Sequence, residues 1–330
     1  MNTAQLTEEG REFLDEWCNA EPYVVAHTSG STGAPKEIHL LKTDMLESAR
    51  STNVFFGIDC DSLLVSPLSP QYIAGKMMIV RALAADCSLI MEEPSNQPIQ
   101  SHYGTVKLLP IVPSQIDGLL ESPYVDDIEN VIIGGAPLTD TQEQKILTSA
   151  PFRAYATFGM TETCSHVALR PVGKNEYAAL PGISFRTVDD DRLEIVAESR
   201  SFGSLVTNDI VELTDEQHFR WIGRADNVVI SGGVKLHPEA IEQKIASMMP
   251  LPFFIAGEPD EKWGERLILV VERNYENHRP EAGGLDMMIA QVISKIVNKT
   301  LDKYEIPKRL YFVNSIPRTT NGKIIRKIHR

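Results

Sequence analysis

The fold is decided between residues 62 and 135, where the apolar segments read SLLVSPL (62–68), KMMIVRALA (76–84), CSLIM (87–91), TVKLLPIVP (105–113) and NVIIGG (130–135). Short runs rich in Val, Ile and Leu alternate here with helical patterns such as SQIDGLLES (114–122). Strands that alternate with helices predict βαβ units. We therefore expect an α/β fold whose large domain contains a mostly parallel sheet.

The sequence before and after this region predicts further helices and strands of the same domain. From residue 183 onward a different pattern of short strands begins. We predict helices over 5–17, 43–57 and 140–149, and strands over 22–27 and 152–158. Short strands with acidic or Gly turns over 183–222 predict a small antiparallel or β-barrel-like section. An α+β pattern with a helix over 285–302 follows. With about 150 residues per domain as a guide, the 330-residue chain is predicted to form two domains, 1–225 and 226–330.

Composition excludes several classes of function. The chain has 45 acidic and 32 basic residues and a net charge of −13, so a broad basic surface for nucleic acid is not expected. No apolar run is long enough to predict a membrane span, and the polar N-terminal segment has no signal core. Four cysteines without a CxxC pair indicate neither a zinc cage nor a disulfide framework. These features favour a cytoplasmic protein with reduced thiols and no membrane partner.

The first chemical motif is HTSGSTGAPK at residues 27–36, in which six of ten residues are Gly, Ser or Thr. Two glycines allow successive amides to point at one anion, and hydroxyls and a lysine add further donors. The candidate phosphate-binding residues are Thr28, Ser29, Gly30, Ser31, Thr32, Gly33 and Lys36. Pro35 and Glu37 separate the motif from the GxxxxGK[ST] P-loop, and a flexible surface loop is the alternative.

The second motif is TFGMTET at residues 157–163. Glu162 is a candidate ligand for Mg²⁺, which takes one or two carboxylates together with substrate phosphates. Thr161 is a candidate donor to a phosphate oxygen, and Phe158 offers a ring for stacking. The alternative is a strand end followed by a helix that Thr161 or Thr163 caps.

The third motif comprises Thr207-Asn208-Asp209 and the later segment GRAD at 223–226. A carboxylate such as Asp209 can accept two hydrogen bonds from a ribose diol, and Arg224 offers a planar fork of donors. A turn residue is the alternative for Asp209, because Asp is common in turns.

The fourth motif is PRTTNGKIIR at residues 317–326. From Ile306 onward the chain has seven Lys or Arg residues and no Asp or Glu, against the acidic balance of the whole. Asn321-Gly322 is a tight-turn signal that would present Lys323 at a tip. A solvated basic tail is the alternative.

These four motifs, in this order, resemble the adenylate-forming superfamily of acyl-CoA synthetases, nonribosomal adenylation domains and luciferases. The resemblance covers residues 24–326. It implies ATP and Mg²⁺ as cofactors, CoA as a co-substrate, and a small mobile C-terminal domain that carries the catalytic lysine. It also implies that the chain is N-terminally truncated relative to the family, because the phosphate loop begins only 28 residues in.

The resemblance assigns roles position by position. Residues 28–36 match the loop for the β- and γ-phosphates, and Thr161 and Glu162 match the ligands of the α-phosphate and the metal. Lys323 matches the catalytic lysine of adenylation, and Asp226 matches the hinge between the domains. The implied contacts to adenine and ribose are Gly134, Gly135, Ala136, Pro137, Phe158, Gly159, Asp209 and Arg224.

One segment indicates which acid is the substrate. Residues 67–81, PLSPQYIAGKMMIVR, look like the corresponding segment of the o-succinylbenzoate–CoA ligases of menaquinone synthesis. The implied pocket residues are Tyr72, Gly75, Lys76 and Arg81. The acid substrate of those ligases has two carboxylates, and the one that is not activated keeps its charge. A buried arginine needs an anionic partner of this kind. In the alternative, both cations lie on a helix face, with Arg81 paired to an acidic neighbour and Lys76 in solvent.

The sequence therefore predicts an AMP-forming ligase that joins a small-molecule acid, best matched by o-succinylbenzoate, to CoA. Two alternatives stay open: an adenylation enzyme that loads another aryl or acyl acid onto a carrier protein, and a non-enzymatic nucleotide-binding relative. If the shortened N-terminal region exposes an apolar face, a homodimer would cover it.

Overall fold

The structure is a computed structural model, and it describes residues 6–27, 37–273, 282–318 and 324–326. Within these residues the helices are α1 (Glu8–Cys18), α2 (Lys42–Phe56), α3 (Ile73–Ala85), α4 (Ile116–Leu120), α5 (Asp140–Ser149), α6 (Pro238–Ile245) and α7 (Ala282–Thr300). The strands are β1 (Tyr23–His27), β2 (Glu37–Leu41), β3 (Leu63–Ser66), β4 (Ser88–Met91), β5 (Leu109–Ile111), β6 (Asn130–Ile133), β7 (Arg153–Gly159), β8 (His166–Pro171), β9 (Tyr177–Ala179), β10 (Ser184–Val188), β11 (Arg192–Ala197), β12 (Gly203–Asp215), β13 (His218–Arg224), β14 (Val229–Ser231), β15 (Val234–Leu236), β16 (Phe253–Asp260), β17 (Gly264–Glu272) and β18 (Arg309–Val313).

The chain forms two compact units. The first comprises Met1–Arg186, Glu194–Val206 and Leu213–Arg220. The second comprises Thr187–Leu193, Thr207–Glu212 and Trp221–Arg330.

The α/β class is confirmed, but the large sheet is mixed rather than mostly parallel. Strands β5, β6 and β7 are parallel neighbours, and β8 and β9 follow in antiparallel pairing. Only six residues, 160–165, join β7 to β8. A parallel crossover needs a dozen or more residues, so a connection this short forces the chain to return antiparallel.

The predicted barrel-like section is wrong for the strands that the structure describes. The strand order β10-β11-β12-β13-β9-β8-β7-β6-β5 is that of an open sheet. The predicted acidic and Gly turns separate strands β10 to β13, and consecutive strands of this series are neighbours in the sheet. These strands extend the sheet beyond β9 on one side, so the chain forms them without closing a barrel.

Helix α3 lies in the interior of the first unit. Met77, Met78, Ile79 and Val80 are four consecutive residues without solvent exposure, and a helix that is apolar all round is a buried helix. The parallel strands β3 and β4 flank α3 in sequence and pair with each other. Polar side chains on α3 are therefore held at fixed positions in a packed environment.

The second unit has its own core, as the predicted α+β pattern requires. Strands β16 and β17 pair antiparallel over the whole of β16, and β18 joins β17 in parallel. Apolar side chains of α6 and α7, including Ile241, Ile245 and Ile293, pack with the sheet residues.

The helices and strands predicted from periodicity are largely confirmed. The helix expected over 140–149 is α5, and those expected over 5–17, 43–57 and 285–302 differ from α1, α2 and α7 by one to three residues at their ends. No helix in the described part of the chain is long and apolar enough to cross a membrane.

Candidate functional site

Two parts of the predicted site, residues 28–36 and Lys323, lie outside the described residues. The flanks of the first are described. Strand β1 ends at His27 and β2 begins at Glu37, and these two residues are paired in an antiparallel register. The predicted phosphate loop therefore starts and ends at adjacent positions of one β-ribbon.

The glycines after β6 have a clear steric reason. A Cβ on Gly134 would lie 2.6 Å from Thr157 Oγ1, and Gly135 has φ of +85°, which favours glycine. The Gly134 amide donates to the Ile111 carbonyl at 3.1 Å. The segment from Gly134 to Pro137 thus follows directly on the carboxyl end of a parallel strand, the edge at which α/β sheets bind ligands.

Phe158, the predicted adenine-stacking residue, is half-buried near the end of β7. Its ring meets the Phe219 ring edge-on with centroids 5.0 Å apart, and the Tyr177 ring at 5.7 Å. Tyr177 and Phe219 stack on each other at 5.2 Å. This aromatic cluster, which motif reasoning missed, fixes the orientation of the Phe158 ring.

The turn after β7 folds tightly back on itself. A Cβ on Gly159 would lie 2.4 Å from the Ser165 carbonyl oxygen, so only glycine fits there. Residues Thr161–Thr163 form one 3-10 turn, in which Thr163 is buried, Thr161 is partly exposed and Glu162 is exposed. The turn therefore keeps the predicted metal ligand Glu162 accessible and uses Thr163 as its internal anchor.

The site suits Mg²⁺ that arrives with a nucleotide. Among the described residues no group of three or more His, Cys, Asp or Glu side chains could hold a metal ion alone. Glu162 supplies one accessible carboxylate, and Thr161 a partly exposed hydroxyl beside it. One carboxylate together with phosphate oxygens is an ordinary ligand set for Mg²⁺, so these residues fit the ion.

Two of the predicted acid-pocket residues lie at the start of α3. A Cβ on Gly75 would lie 2.3 Å from the Ser69 carbonyl oxygen, which explains the glycine. Tyr72 is exposed. A surface cavity of about 490 Å³ is lined by Glu16, Val25, His27, Gln71, Tyr72 and Lys76.

Lys76 is neither in solvent nor free. It is 8% exposed, its Nζ lies 3.0 Å from Glu16 Oε2, and the same atom lies 4.4 Å from the centroid of the Phe13 ring. Its charge is therefore already matched by a carboxylate of the chain. Lys76 lines the cavity but is not available as an unpaired cation for a substrate.

Arg81 is buried like Lys76 but differs from it in its hydrogen-bond partners. It is 2% exposed, and burial lowers its pKa to about 9, so the side chain is still a cation at neutral pH. It donates to Ser165 Oγ at 2.6 Å and to the Met78 sulfur at 3.3 Å, while its Nε has no partner among the described residues. In the described part of the chain no carboxylate pairs with it.

The residues around Arg81 belong to the stretch TETCSH, residues 161–166, in which the motifs assign no role to Ser165 or His166. His166 is buried, with Nδ1 3.2 Å from Ser165 Oγ and Nε2 3.3 Å from Thr52 Oγ1. Burial, with the nearby Arg81 and Arg200 guanidinium groups, holds the His166 pKa well below its usual range. The signal in the sequence is the resemblance of this stretch to the corresponding segment of the o-succinylbenzoate–CoA ligases.

The predicted ribose residues lie in the second unit. Asp209 is buried on β12, and its Oδ1 accepts a hydrogen bond from the Trp221 indole at 2.9 Å. Arg224 lies 3.8 Å from the other Asp209 oxygen and donates to Asp226 at 3.1 Å. The three predicted residues Asp209, Arg224 and Asp226 are thus brought together, with Trp221 as an addition that the motif did not indicate.

The residues on both sides of Lys323 are firmly held. Arg318 and Ile324 form an antiparallel bridge, and the Ile325 amide donates to the Pro317 carbonyl at 2.8 Å. Arg326 donates to Glu242 Oε2 at 2.8 Å and to the Ile255 carbonyl at 2.6 Å. The hairpin stem that the Asn-Gly signal predicts is therefore present in the described residues.

Comparisons with known proteins agree with this arrangement. A chain from Dyadobacter fermentans, described as an acyl-CoA synthetase (AMP-forming)/AMP-acid ligase II-like protein, is 34% identical, with a TM-score of 0.63 over 95% of this chain and 90% of that one. O-succinylbenzoate coenzyme A synthetase from Bacillus subtilis, solved with ATP and magnesium, matches with a TM-score of 0.73 and 18% identity over 92% of this chain and 68% of that one. The second likeness concerns the fold alone.

Curated relatives include a 2-succinylbenzoate–CoA ligase from Enterococcus faecalis, 27% identical over 91% of this chain and 67% of the relative. The AMP-binding enzyme profile matches residues 3–209, and the AMP-binding enzyme C-terminal domain profile matches residues 253–323. Together these matches span the glycine loops, the aromatic strand and the buried carboxylate described above. The chain belongs to the family of AMP-binding enzymes.

Proposed function

We propose that this protein is an ATP-dependent acid–thiol ligase that converts o-succinylbenzoate to its CoA thioester, a step of menaquinone biosynthesis. The acid is first activated as an acyl-adenylate, and the acyl group then passes to CoA. ATP, Mg²⁺, the acid and CoA are its small-molecule partners.

The observation that carries the proposal is the unpaired guanidinium of Arg81. A buried cation without a carboxylate partner is costly, and the described residues supply no such partner. O-succinylbenzoate has two carboxylates, and only one of them is consumed by activation. The remaining carboxylate would complete the electrostatics of Arg81, whereas a simple mono-acid would leave the cation unpaired.

The proposed chemistry follows from positioning and electrostatics. A carboxylate oxygen of the acid attacks the α-phosphorus of ATP, and pyrophosphate leaves. We assign residues 28–36 to the β- and γ-phosphates, Thr161 to the α-phosphate and Lys323 to the charge that develops during transfer. Bound Mg²⁺, with Glu162 as its ligand, would neutralise phosphate charge. The thiol then attacks the acyl carbon, and AMP leaves.

The nucleotide contacts complete the assignment. The segment from Gly134 to Pro137, with Phe158 and Gly159, is assigned to adenine, and Asp209 and Arg224 are assigned to ribose. Asp226 is proposed as the hinge between a large domain, 1–225, and a small domain, 226–330. Its position in the single 3-10 turn Ala225–Asn227, between strands β13 and β14, supports this role.

A cytoplasmic location and a homodimer belong to the same proposal. ATP and CoA are cytoplasmic substrates, and all four cysteines are free thiols. Exposed apolar side chains such as Val54, 70% exposed on α2, support an interface between two copies. Light scattering coupled to size-exclusion chromatography tests the dimer directly.

The test of function is mass spectrometry of a reaction that contains the protein, o-succinylbenzoate, MgATP and CoA, with each component omitted in turn. A CoA thioester and AMP that need all three substrates are the expected products. An acyl-adenylate without thioester would favour a carrier protein as the acceptor. If other acids react and o-succinylbenzoate does not, the substrate assignment is wrong, and binding of ATP without any turnover would favour a nucleotide-binding relative.

A further inference from the structure

Arg200 is a second buried arginine of the first unit, and no motif accounts for it. It is 4% exposed and follows β11. Its backbone is fixed by two hydrogen bonds, one from the Arg200 amide to the Ala197 carbonyl at 2.9 Å and one from the Gly203 amide to the Arg200 carbonyl at 2.9 Å. The side chain therefore projects from a rigid base.

The contact that this side chain makes is with the turn after β7. Arg200 NH1 donates to the Thr163 carbonyl oxygen at 3.2 Å, and NH2 has no partner among the described residues. Glu47 and Asp44 are the nearby acids that could have paired with Arg200. Glu47 lies 3.7 Å from Arg50 instead, and the two oxygens of Asp44 accept hydrogen bonds from the Ser201 amide and hydroxyl. Arg200 therefore contacts the turn through its own hydrogen bond, and no ion pair with these acids determines where the guanidinium lies.

The Thr163 carbonyl belongs to the peptide group that leads into Cys164, and Cys164 has an unusual backbone. Its φ is +64° and its ψ is −31°, in a region that residues other than glycine rarely occupy. Such a conformation persists only where the surroundings impose it. The Thr163 hydroxyl helps to impose this conformation from within the turn, where it accepts a hydrogen bond from the Met160 amide at 3.1 Å. Arg200 helps to impose it from outside the turn.

We propose that Arg200 is a positioning residue that holds the Thr163–Cys164 peptide group, and through it the turn that presents Thr161 and Glu162 to the phosphates and Mg²⁺ of the nucleotide. This inference rests on the proposed role of that turn in MgATP binding. It does not depend on which acid or thiol the enzyme uses. Without the guanidinium, the peptide group can rotate and release the strained Cys164 backbone, which displaces Glu162.

The test is calorimetric titration of the purified protein with ATP, in the presence of Mg²⁺ and in the presence of EDTA. Arg200→Met is expected to weaken MgATP binding by about tenfold, the effect of losing one hydrogen bond from a charged donor. It is expected to weaken metal-free ATP binding much less, because only the contact of Thr161 with the α-phosphate is then disturbed. Arg200→Lys keeps a cationic donor and is expected to recover part of the loss. Arg192→Met, the same change at a partly exposed residue of β11, is the matched control.

A second readout follows the turn itself. Cys164 is buried, so it is expected to resist alkylation in the wild type. In Arg200→Met the loosened turn should make Cys164 alkylate faster, as peptide mass spectrometry would detect. If Arg200→Met does not fold, Arg200→Lys carries both measurements, with a smaller shift in the same direction.

The outcomes separate this inference from the proposed function. Equal weakening of ATP binding with and without metal, or no weakening, would overturn the role of Arg200. So would lower thermal stability with an unchanged Mg²⁺ dependence, which indicates a purely structural residue. A wild-type protein that binds ATP in a metal-dependent manner but forms no thioester would contradict the ligase assignment and leave the Arg200 test intact.

Discussion

Trp221 donates its indole N–H to Asp209 across 2.9 Å and so determines how the predicted ribose carboxylate is oriented. The bond engages Oδ1, while Oδ2 lies 3.8 Å from Arg224 NH1. An acidic side chain that must accept two hydroxyl hydrogen bonds gains from being held in one rotamer before the ligand arrives. Trp221 is therefore part of the candidate nucleotide site, although it lies outside every motif.

Trp221→Phe should weaken AMP and ATP binding by about five- to tenfold, because the ring is kept while one hydrogen bond is lost. Calorimetric titration with AMP, which has no β- or γ-phosphate, isolates this part of the site. Trp263→Phe makes the same change at an exposed tryptophan of the second unit and should leave AMP affinity as it is. Equal AMP affinities of wild type and Trp221→Phe would show that Asp209 or Trp221 does not belong to the nucleotide site.

Arg81 gives the sharpest test of the substrate class. Arg81→Met should lower kcat/KM for o-succinylbenzoate by about 100-fold, because a charged hydrogen-bonding partner of the second carboxylate is lost. For a mono-acid analogue that lacks this carboxylate, the same variant should be as active as the wild type or more active. Arg50→Met, at an exposed arginine, is the control.

The stability of Arg81→Met provides an independent readout. Replacing a buried unpaired cation with an apolar side chain of similar length should keep or raise the free energy of unfolding. Urea denaturation of wild type and variant measures this. A variant that is both much less stable and equally impaired toward mono-acid and di-acid would indicate that Arg81 serves only the fold.

His166 should make stability depend on pH. Burial and the nearby Arg81 and Arg200 lower its pKa in the folded protein, so the folded protein keeps it neutral where the unfolded chain, with a pKa near 6.5, takes up a proton. The unfolded state then binds more protons, so the free energy of unfolding should fall as the pH falls below about 6.5, by up to about 1.4 kcal/mol per pH unit for this one group.

His166→Gln should remove that component of the pH dependence. The measurement is urea denaturation of wild type and variant between about pH 5 and pH 7, with the slopes compared. His102→Gln, at an exposed histidine whose Nδ1 lies 2.8 Å from Asp127 Oδ2, controls for loss of a surface imidazole. Parallel slopes for wild type and His166→Gln would mean that His166 is protonated in the folded protein or titrates as it does in the unfolded chain.

The sequence predicted the parts of this molecule that depend on local pattern. Helix α5 has the predicted limits because its capping residue Thr139 and its apolar Ile146 are local signals. Gly75, Gly134 and Gly159 were singled out from motifs, and each has a close backbone or side-chain neighbour that excludes a Cβ. The neighbours of Gly75 and Gly159 lie six residues away in the chain, whereas that of Gly134 is Thr157 on the adjacent strand β7.

The parts that were missed depend on pairings distant in sequence. The Arg200 contact to Thr163 spans 37 residues and the Trp221 contact to Asp209 spans 12, and neither has a spacing that a motif would record. Lys76 was expected in solvent as the alternative to a pocket residue, yet it pairs with Glu16, 60 residues earlier. The barrel-like section failed for the same reason, because strand patterns do not specify which edge a hairpin joins.

Arg326 should support Lys323, the proposed catalytic lysine, from three residues away in the sequence. Its guanidinium is held by Glu242 and the Ile255 carbonyl, and both partners belong to the second unit. Arg326→Gln should lower the free energy of unfolding by about 2 kcal/mol, as expected when a charged hydrogen-bonding partner of a partly buried carboxylate is removed, and should reduce the rate of acyl-adenylate formation.

A double-mutant cycle with Lys323 distinguishes the two effects of Arg326. If Arg326 acts on adenylation through Lys323, then Arg326→Gln should slow pyrophosphate release in the wild-type background and add little to Lys323→Ala. Thioester formation from a supplied acyl-adenylate, a step that the proposal does not assign to Lys323, should be affected much less. Losses that multiply in the double variant, or an equal loss in both half-reactions, would show that Arg326 supports the second unit as a whole rather than the segment that carries the lysine.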